Sequence, residues 1–200
     1  MQRQNEYMPF PISASPKAKS TGTLDADDWT HAALTILARN GIESVRVERL
    51  AKMLGVTKGS FYWHFKDRPA LLDEMLRSWR QRATLSIIDR LERSDVPPAE
   101  RLRELLKLMR HTPRAARGAD IEAAIRLWGH SDPRVASVVR EIDRLRLGHI
   151  KSLVESAHGD RQDATARAAL IYSYFLAEAW IGSNLDAQTC LQCEAILEGL

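Results

Sequence analysis

Residues Gly41 to Leu72 read GIESVRVERLAKMLGVTKGSFYWHFKDRPALL, and this stretch decides the fold of the N-terminal part. In its first half, apolar residues recur at the i, i+3, i+4, i+7 spacing of one helix face, at Val47, Leu50, Ala51 and Leu54. Gly55 follows where that helix should end, because glycine readily adopts the conformation that closes a helix. The pattern therefore predicts a short helix and then a tight turn.

A second short helix is predicted from Thr57 to about Trp63. Thr57 can cap its first turn, and Phe61 is its main apolar anchor. The remaining side chains are polar, basic or aromatic and suit an exposed contact surface, namely Lys58, Ser60, Tyr62, Trp63 and His64. A helix–turn–helix whose second helix carries such residues is the arrangement that enters the major groove of DNA.

Charge is concentrated in the same segment. The 200-residue chain has a net charge of only +3, with 44% apolar and 28% charged residues, which is ordinary for a globular protein with a real core. From Arg46 to Arg68, however, the chain has six basic residues and only two acidic ones, an excess of four positive charges. This basic patch favours phosphate binding over a helix–turn–helix that binds only protein.

The run GVTKGSFYWHFKDRPALL resembles the helix–turn–helix of the TetR (tetracycline-repressor-like) family of bacterial transcription regulators. The resemblance covers about Thr23 to Met75, and its most specific part is Tyr-x-His-Phe with a lysine two residues after the histidine. It implies a homodimer that binds a double-stranded DNA operator, without cofactor or metal, through an N-terminal three-helix domain. A C-terminal helical domain would bind an effector and dimerise.

The resemblance also implies which side chains touch DNA. Tyr62, His64 and Lys66 match positions that contact phosphate, and all three can donate hydrogen bonds to it. Thr57, Lys58, Gly59, Ser60 and Trp63 lie on or near the recognition surface, where Lys58 could read guanine. Trp63 could instead be a partly buried core aromatic. Arg46 stands where the family usually has Thr or Ser and is expected to add a phosphate contact.

The rest of the chain is predicted to be helical, which makes the protein all-α with about nine helices. Residues 1–22 are polar and aperiodic and form an arm, residues 23–70 form the DNA-binding domain, and residues 71–200 form the effector-binding and dimerisation domain. A long fourth helix is predicted from Asp67 to about Glu92, so that it joins the two domains. A sixth helix is predicted at Ala119 to Trp128.

The last two predicted helices, Asp160 to about Ser183 and Ala187 to Leu200, suit a dimer interface. The first is apolar almost all round and must be covered on both sides. The candidate interface residues are Ala164, Ala168, Ile171, Phe175, Ala179, Gly182, Leu191 and Ala195. An effector pocket is predicted between the fourth and eighth helices, with candidate lining residues Trp79, Met109, Trp128, Tyr172 and Phe175, for each of which core packing is the alternative.

Other functional classes find little support. No segment suits a membrane span or a secretory signal, and two cysteines cannot form a disulfide framework, so a cytoplasmic protein is expected. No glycine-rich phosphate loop, nucleophile elbow or His-Glu-x-x-His motif is present, so an enzyme is not expected. The favoured function is a repressor released from a pseudo-palindromic operator by a small apolar ligand. A regulator that senses redox state or metal through Cys190 and Cys193, or one without a ligand, remains the alternative.

Overall fold

The computed structural model describes residues 24–108, 113–159, 162–181 and 185–199, and these ranges contain helices and no strand. The nine helices are α1 (Ala26–Asn40), α2 (Val47–Leu54), α3 (Lys58–Phe61), α4 (Arg68–Arg80, continued by Gln81–Leu85 and Ser86–Glu92), α5 (Pro98–Leu108), α6 (Pro113–Ser131), α7 (Pro133–His158), α8 (Ala164–Ile181) and α9 (Ala187–Gly199). The predicted all-α class is confirmed. The arm of residues 1–22 lies outside the described residues.

The first helix begins and ends at residues with clear local causes. The Asp25 carboxylate accepts from the Asp28 N–H at 2.9 Å while Asp28 accepts from the Asp25 N–H at 3.0 Å, which forms a capping box. Gly41 ends the helix with a positive φ of 76°. Between these two ends, α1 buries one face, which includes the completely buried side chain of Trp29. Helices α2 and α3 pack against this face.

The start of α2 has no side-chain cap. Before it, Ser44 donates its hydroxyl to the Asn40 carbonyl at 3.0 Å, at a single 3-10 turn, Ile42–Ser44. The helix begins at Val47, with Arg46 at the N-cap and no side chain capping it. The sixth helix is also longer than predicted, since it covers Pro113–Ser131 and not only Ala119 to Trp128.

Helix α4 runs without a break from Arg68 to Glu92. Asp67 caps it by accepting from the Ala70 N–H at 2.8 Å. Its middle, Gln81–Leu85, is a π-helical turn, which the apolar periodicity did not predict. Such turns insert an extra residue into a helix and are frequent at functional sites.

Two hydrophobic cores divide the described chain. The first joins α1, α2, α3 and the start of α4 to buried residues of α6 and α7, among them Ile125 and Ile142. The second joins the end of α4 and α5 to α7, α8 and α9, around residues such as Leu106, Val154 and Ile171. The proposed domain boundary near residue 70 stays a prediction, and it does not separate the cores, because the first core extends across it.

Candidate nucleic-acid interface and adjoining cavity

The turn between α2 and α3 is set by backbone geometry. Gly55 lies in the left-handed region at φ 71° and ψ 29°, and its N–H bonds to the Lys52 carbonyl at 3.3 Å. The Val56 N–H bonds to the Ala51 carbonyl at 3.0 Å. Together these bonds form a Schellman motif, which satisfies the last carbonyls of α2. Helix α3 therefore begins only four residues after α2 ends.

Helix α3 has a single turn and is held in place by one aromatic side chain. Phe61 is completely buried, with Trp29 edge-on to it at a centroid distance of 5.3 Å and Phe65 stacked on it at 5.5 Å. So short a helix has no stability of its own, so these contacts keep it folded. Its other side chains are left free to face away from the core.

The residues after Phe61 form the exposed surface that the sequence predicts. Tyr62 is 62% exposed and Trp63 is 87% exposed. Lys66 is exposed and His64 is half-buried. The alternative placement of Trp63 in the core is therefore wrong, because its indole lies almost wholly in solvent. A tyrosine, an indole and a lysine together provide hydrogen-bond donors, a stacking surface and a positive charge at one end of the molecule.

The start of α3 adds small polar groups and one lysine to this surface. Thr57 takes the N-cap backbone conformation, but its hydroxyl makes no capping bond, contrary to the expected cap. Gly59 is exposed and Ser60 is half-buried. Lys58 pairs with Glu48 of α2, with Nζ 2.7 Å from Oε1, and this hydrogen bond lowers the pKa of the Glu48 carboxyl. The side chain expected to read guanine is thus engaged by an acidic neighbour.

The two arginines that bound the basic segment differ in role. Arg46 is exposed and donates from Nε to the Glu43 carbonyl at 2.9 Å, so its guanidinium lies at the surface. Arg68, at the start of α4, donates to the carbonyls of Val45 at 2.7 Å and Ile42 at 2.9 Å. Arg68 therefore fixes the 3-10 turn against α4, a structural role that the charge count did not reveal.

A buried polar cluster lies between the two cores. Arg146 of α7 is only 7% exposed, and its guanidinium faces both carboxylate oxygens of Glu122 at 3.0 and 3.1 Å. It also donates to the Thr84 hydroxyl at 2.9 Å, the Ala83 carbonyl at 3.2 Å and the Tyr172 hydroxyl at 3.3 Å. Four of these contacts are hydrogen bonds, and each of the three guanidinium nitrogens donates at least one of them. The π-helical turn of α4 supplies two of the acceptors.

The cluster is closed by further bonds and is electrically balanced. Arg126 lies 2.5 Å from Asp143 and 2.9 Å from Glu122, while Tyr172 donates to Asp143 at 2.6 Å. The Trp79 indole donates to Glu122 at 3.0 Å. Burial raises the pKa of Tyr172 to about 12, so the phenol keeps its proton. Two guanidiniums facing two carboxylates offset the cost of burying charge.

Sequence reasoning missed this cluster, although a signal existed. On α7, Arg146 takes a place in the row of buried residues between Ile142 and Ile150, where helical spacing predicts an apolar side chain. On α6, Glu122 lies three residues before Ile125 and so on the same helix face, and both side chains are buried. A charged residue in an apolar row indicates that the residue needs a buried partner, although it does not show which one.

Next to the cluster lies a largely apolar cavity of about 80 Å³ between α4, α5, α7 and α8. Of the predicted lining residues, Tyr172 and Phe175 border it, and their rings stack at a centroid distance of 6.1 Å. Trp79 and Trp128 are buried in the first core and do not border it, so their assignment to a pocket is corrected. Met109 lies outside the described residues.

The predicted dimer residues are split between the inside and the outside of the chain. Ala164, Ala168 and Ile171 are buried in the chain's own second core, which corrects their assignment to a contact with a partner. Phe175 is half-buried beside the cavity. Leu191 and Ala195 of α9 are exposed. Gly182 and the side chain of Ala179 lie outside the part of the chain that the structure describes.

The opposite side of α8 carries exposed apolar residues that the sequence did not single out. Leu170 is 54% exposed, and Trp180 is more exposed still. On α9, Leu191 and Ile196 are exposed as well. These four residues are here called the α8–α9 apolar face. The predicted and the observed exposed sides of α8 differ because periodicity shows that two sides of this helix are apolar, but not which of them packs against the chain's own core.

Sites of other kinds are not formed by the described residues. Among them, no group of three or more His, Cys, Asp or Glu side chains is placed to hold a metal ion. On α9, Cys190 is buried and Cys193 is half-buried, and neither forms a disulfide among the described residues. Nor does any helix in the described ranges have the length and apolar character needed to span a membrane.

Comparison with known proteins identifies the helix–turn–helix. The model of the family described as bacterial regulatory proteins, tetR family, matches residues 30–75. The HTH-type transcriptional regulator AcrR of Shigella flexneri is 42% identical over 43 residues, which are 22% of this chain and 20% of that protein. The class D tetracycline repressor protein of Escherichia coli is 36% identical over 52 residues, 26% of this chain and 24% of the repressor. These matches thus span only about a fifth to a quarter of the relatives' length.

Solved structures extend the likeness to the whole fold. A transcriptional regulator from Rhodococcus sp. Rha1 superposes with a TM-score of 0.69 at 18% identity, over 88% of this chain and 95% of that one. The ketosteroid transcriptional regulator KstR2 of Mycobacterium tuberculosis superposes with a TM-score of 0.64 at 18% identity, over 90% and 95% of the two chains. Residues 30–75 thus match the tetR family of bacterial regulatory proteins in sequence, and over the rest of the chain the likeness is one of fold.

Proposed function

We propose that this protein is a transcriptional regulator that binds a pseudo-palindromic DNA operator as a homodimer and is a repressor released by a small ligand. The observation that carries the DNA-binding part is the exposure of Tyr62, Trp63 and Lys66 directly after the buried anchor Phe61. A rigid helix–turn–helix that presents donors and a positive charge to solvent suits phosphate contacts on both sides of a major groove.

On DNA, the side chains divide by chemistry. Tyr62, His64 and Lys66 contact phosphate, with Arg46 as an additional basic contact at the N-terminus of α2. Thr57, Gly59 and Ser60 with Lys58 lie along the recognition surface and approach the base edges. Lys58 must leave Glu48 to do so, and the ion pair is weak enough to exchange because both side chains are about 60% exposed.

Dimerisation is supported by the α8–α9 apolar face. It consists of four large apolar side chains that an isolated chain would leave in water, Leu170, Trp180, Leu191 and Ile196. A second copy covering the same face gives a two-fold dimer, because an isologous interface is self-complementary. Two recognition helices would then meet half-sites about 34–36 Å apart, or a multiple of that spacing.

Ligand control is supported by the position of the cavity beside α4. The π-helical turn borders the cavity, and the same helix begins at Arg68, which is tied to the turn before α2. A ligand with different affinities for two orientations of α4 would shift the DNA-binding equilibrium. Two of the similar proteins carry names that point the same way, a tetracycline repressor and a ketosteroid regulator.

The DNA-binding proposal is tested by selecting bound DNA from a random library and measuring affinity by fluorescence anisotropy at several salt concentrations. Lys66→Ala should weaken binding to all sequences and reduce the slope of log K against log salt by about 1. Tyr62→Phe should weaken binding without changing that slope. Lys151→Ala on the exposed side of α7 is the control and should change neither. Binding without any sequence preference would overturn the proposal.

The dimer proposal is tested by sedimentation analysis of two matched variants. Leu170 and Leu127 are exposed to similar extents, 54% and 58%, but only Leu170 belongs to the α8–α9 apolar face. Leu170→Glu should produce monomers, whereas Leu127→Glu on α6 should remain dimeric. Dimers of unchanged stability with Leu170→Glu would contradict this interface.

A further inference from the structure

The polar side chains around the cavity restrict the chemistry of its ligand. Among the described residues, four polar side chains border it, those of Thr84, Arg146, His149 and Tyr172, and the other described lining residues are aliphatic or aromatic. Arg146 is the obvious partner for an acidic ligand. Each of its three guanidinium nitrogens, however, already donates a hydrogen bond within the cluster, and both carboxylate oxygens of Glu122 lie within 3.1 Å of it.

An anion would therefore gain little in this cavity. Binding one to Arg146 requires breaking a buried ion pair, and the displaced carboxylate of Glu122 would then lie close to the ligand's own charge. Asp143 lies nearby on the other side of Tyr172, at 2.6 Å from its hydroxyl. Since the cluster is already neutral, a charged ligand would leave one buried charge without a partner.

His149 is the side chain that still has a vacant hydrogen-bonding site. Its Nε2 is buried and has no hydrogen-bond partner in the described chain, while Nδ1 faces Glu92 with Oε1 3.8 Å away. Burial lowers the pKa of His149, so the ring is neutral near pH 7. The Glu92 carboxylate favours the tautomer with its proton on Nδ1, which leaves Nε2 as an acceptor. A buried acceptor without a donor is costly, so a donor supplied by a ligand would be stabilising.

Thr84 has the complementary capacity. Its hydroxyl oxygen accepts from Arg146, but its hydrogen is donated to no acceptor among the described residues. A ligand hydroxyl matches both capacities, because it can donate to His149 or accept from Thr84, whereas a carbonyl or a carboxylate can only accept.

We propose that the cavity binds an uncharged, mainly apolar molecule with one hydroxyl group, such as a phenol or an alicyclic alcohol, which donates to His149 Nε2. This inference rests on the proposed function and specifies the ligand class of that same cavity. Carboxylates are excluded by the occupied and neutralised Arg146.

The size of the cavity links this ligand to α4. A benzene-sized molecule occupies an apolar cavity of about 150 Å³, whereas this one measures about 80 Å³. A single ring is larger than this space, and His149 Nε2 has less than 1 Å² of accessible surface, so a ligand reaches that nitrogen only when the cavity widens. Ala83, Thr84 and Ile87 of α4 form one wall, so widening the cavity acts on the helix that leads to the DNA-binding domain.

Three probes of nearly the same shape test the inference on the full-length protein: p-cresol, p-xylene and 4-methylbenzoate. Ligand-detected NMR gives their dissociation constants, and operator binding of the same protein is measured without probe. We expect p-cresol to bind about fivefold to tenfold more tightly than p-xylene, as one hydrogen bond provides. The benzoate should bind at least about tenfold more weakly than p-cresol.

Variants of His149 then locate the hydrogen bond. His149→Phe should abolish the preference for p-cresol over p-xylene, while His149→Gln keeps an acceptor and should retain part of it. His130→Phe, at an exposed histidine, is the matched control and should keep the full preference. Tighter binding of the benzoate, an unchanged preference in His149→Phe, or no binding of any probe would overturn the inference. If DNA binding persists in that case, the proposed regulator stands; if probes bind as expected but DNA does not, the regulator proposal fails alone.

Discussion

The buried cluster between the two cores allows a quantitative prediction about stability. Glu122→Gln keeps the shape of the side chain and one acceptor but removes its charge. The guanidiniums of Arg126 and Arg146 then face a single remaining carboxylate, Asp143. Because Glu122 and Arg146 are both less than 10% exposed, water cannot screen the unpaired charge. The variant should therefore be strongly destabilised.

The magnitude follows from the observed geometry. Two unit charges 3.0 Å apart attract by about 5 kcal/mol at an effective dielectric constant of about 20. The glutamine retains part of the hydrogen bonding, so we expect a loss of about 3–5 kcal/mol in the free energy of unfolding, as for other broken buried pairs. Arg146→Met should cost less, about 2–3 kcal/mol, because Glu122 keeps Arg126 at 2.9 Å and Trp79 at 3.0 Å.

The double variant Glu122→Gln/Arg146→Met distinguishes a coupled pair from two independent sites. It retains the balanced pair of Arg126 and Asp143, so it should be more stable than Glu122→Gln alone. Urea unfolding followed by circular dichroism measures all three variants, at one fixed protein concentration so that the proposed dimerisation contributes equally to each by mass action. A double variant whose loss equals the sum of the two single losses, or a smaller loss for Glu122→Gln than for Arg146→Met, would refute the reasoning.

Three further predictions concern the DNA-binding domain. Glu48→Gln releases Lys58 and removes a negative charge beside the DNA, so the affinity for DNA should rise up to about fivefold at low salt. An unchanged or lower affinity would contradict this prediction. Arg68→Ala removes two bonds to the backbone before α2 and should cost about 2–3 kcal/mol in the free energy of unfolding. The exposed control Arg144→Ala should be nearly neutral. Burial and Arg82 lower the pKa of His31 below its ordinary 6.5. The unfolded chain therefore takes up the proton first, and stability should fall as the pH drops through about 6.5. His31→Gln should flatten this part of the Tm-versus-pH curve, and an identical slope would contradict the assignment.

The sequence by itself determined the all-α fold and the helix–turn–helix. Local causes are enough for these, because helical periodicity, the capping Asp25 and the left-handed Gly55 act within a few residues of the chain. The exposure of Tyr62 and Lys66 also follows locally, since Phe61 is the one apolar anchor of α3 and turns its neighbours outward.

The tertiary structure alone decided which apolar surfaces are internal and which charges are structural. Ile171 and Leu170 are adjacent and both apolar, yet one lies in the second core and the other in solvent, because only the packing of α7 and α9 selects the buried side of α8. Arg146 and Glu122 are far apart in sequence, so no local pattern could pair them. The cavity likewise depends on tertiary structure, because it forms only where four helices meet. Its chemistry depends on which polar group the ion cluster leaves without a hydrogen-bond partner, namely His149.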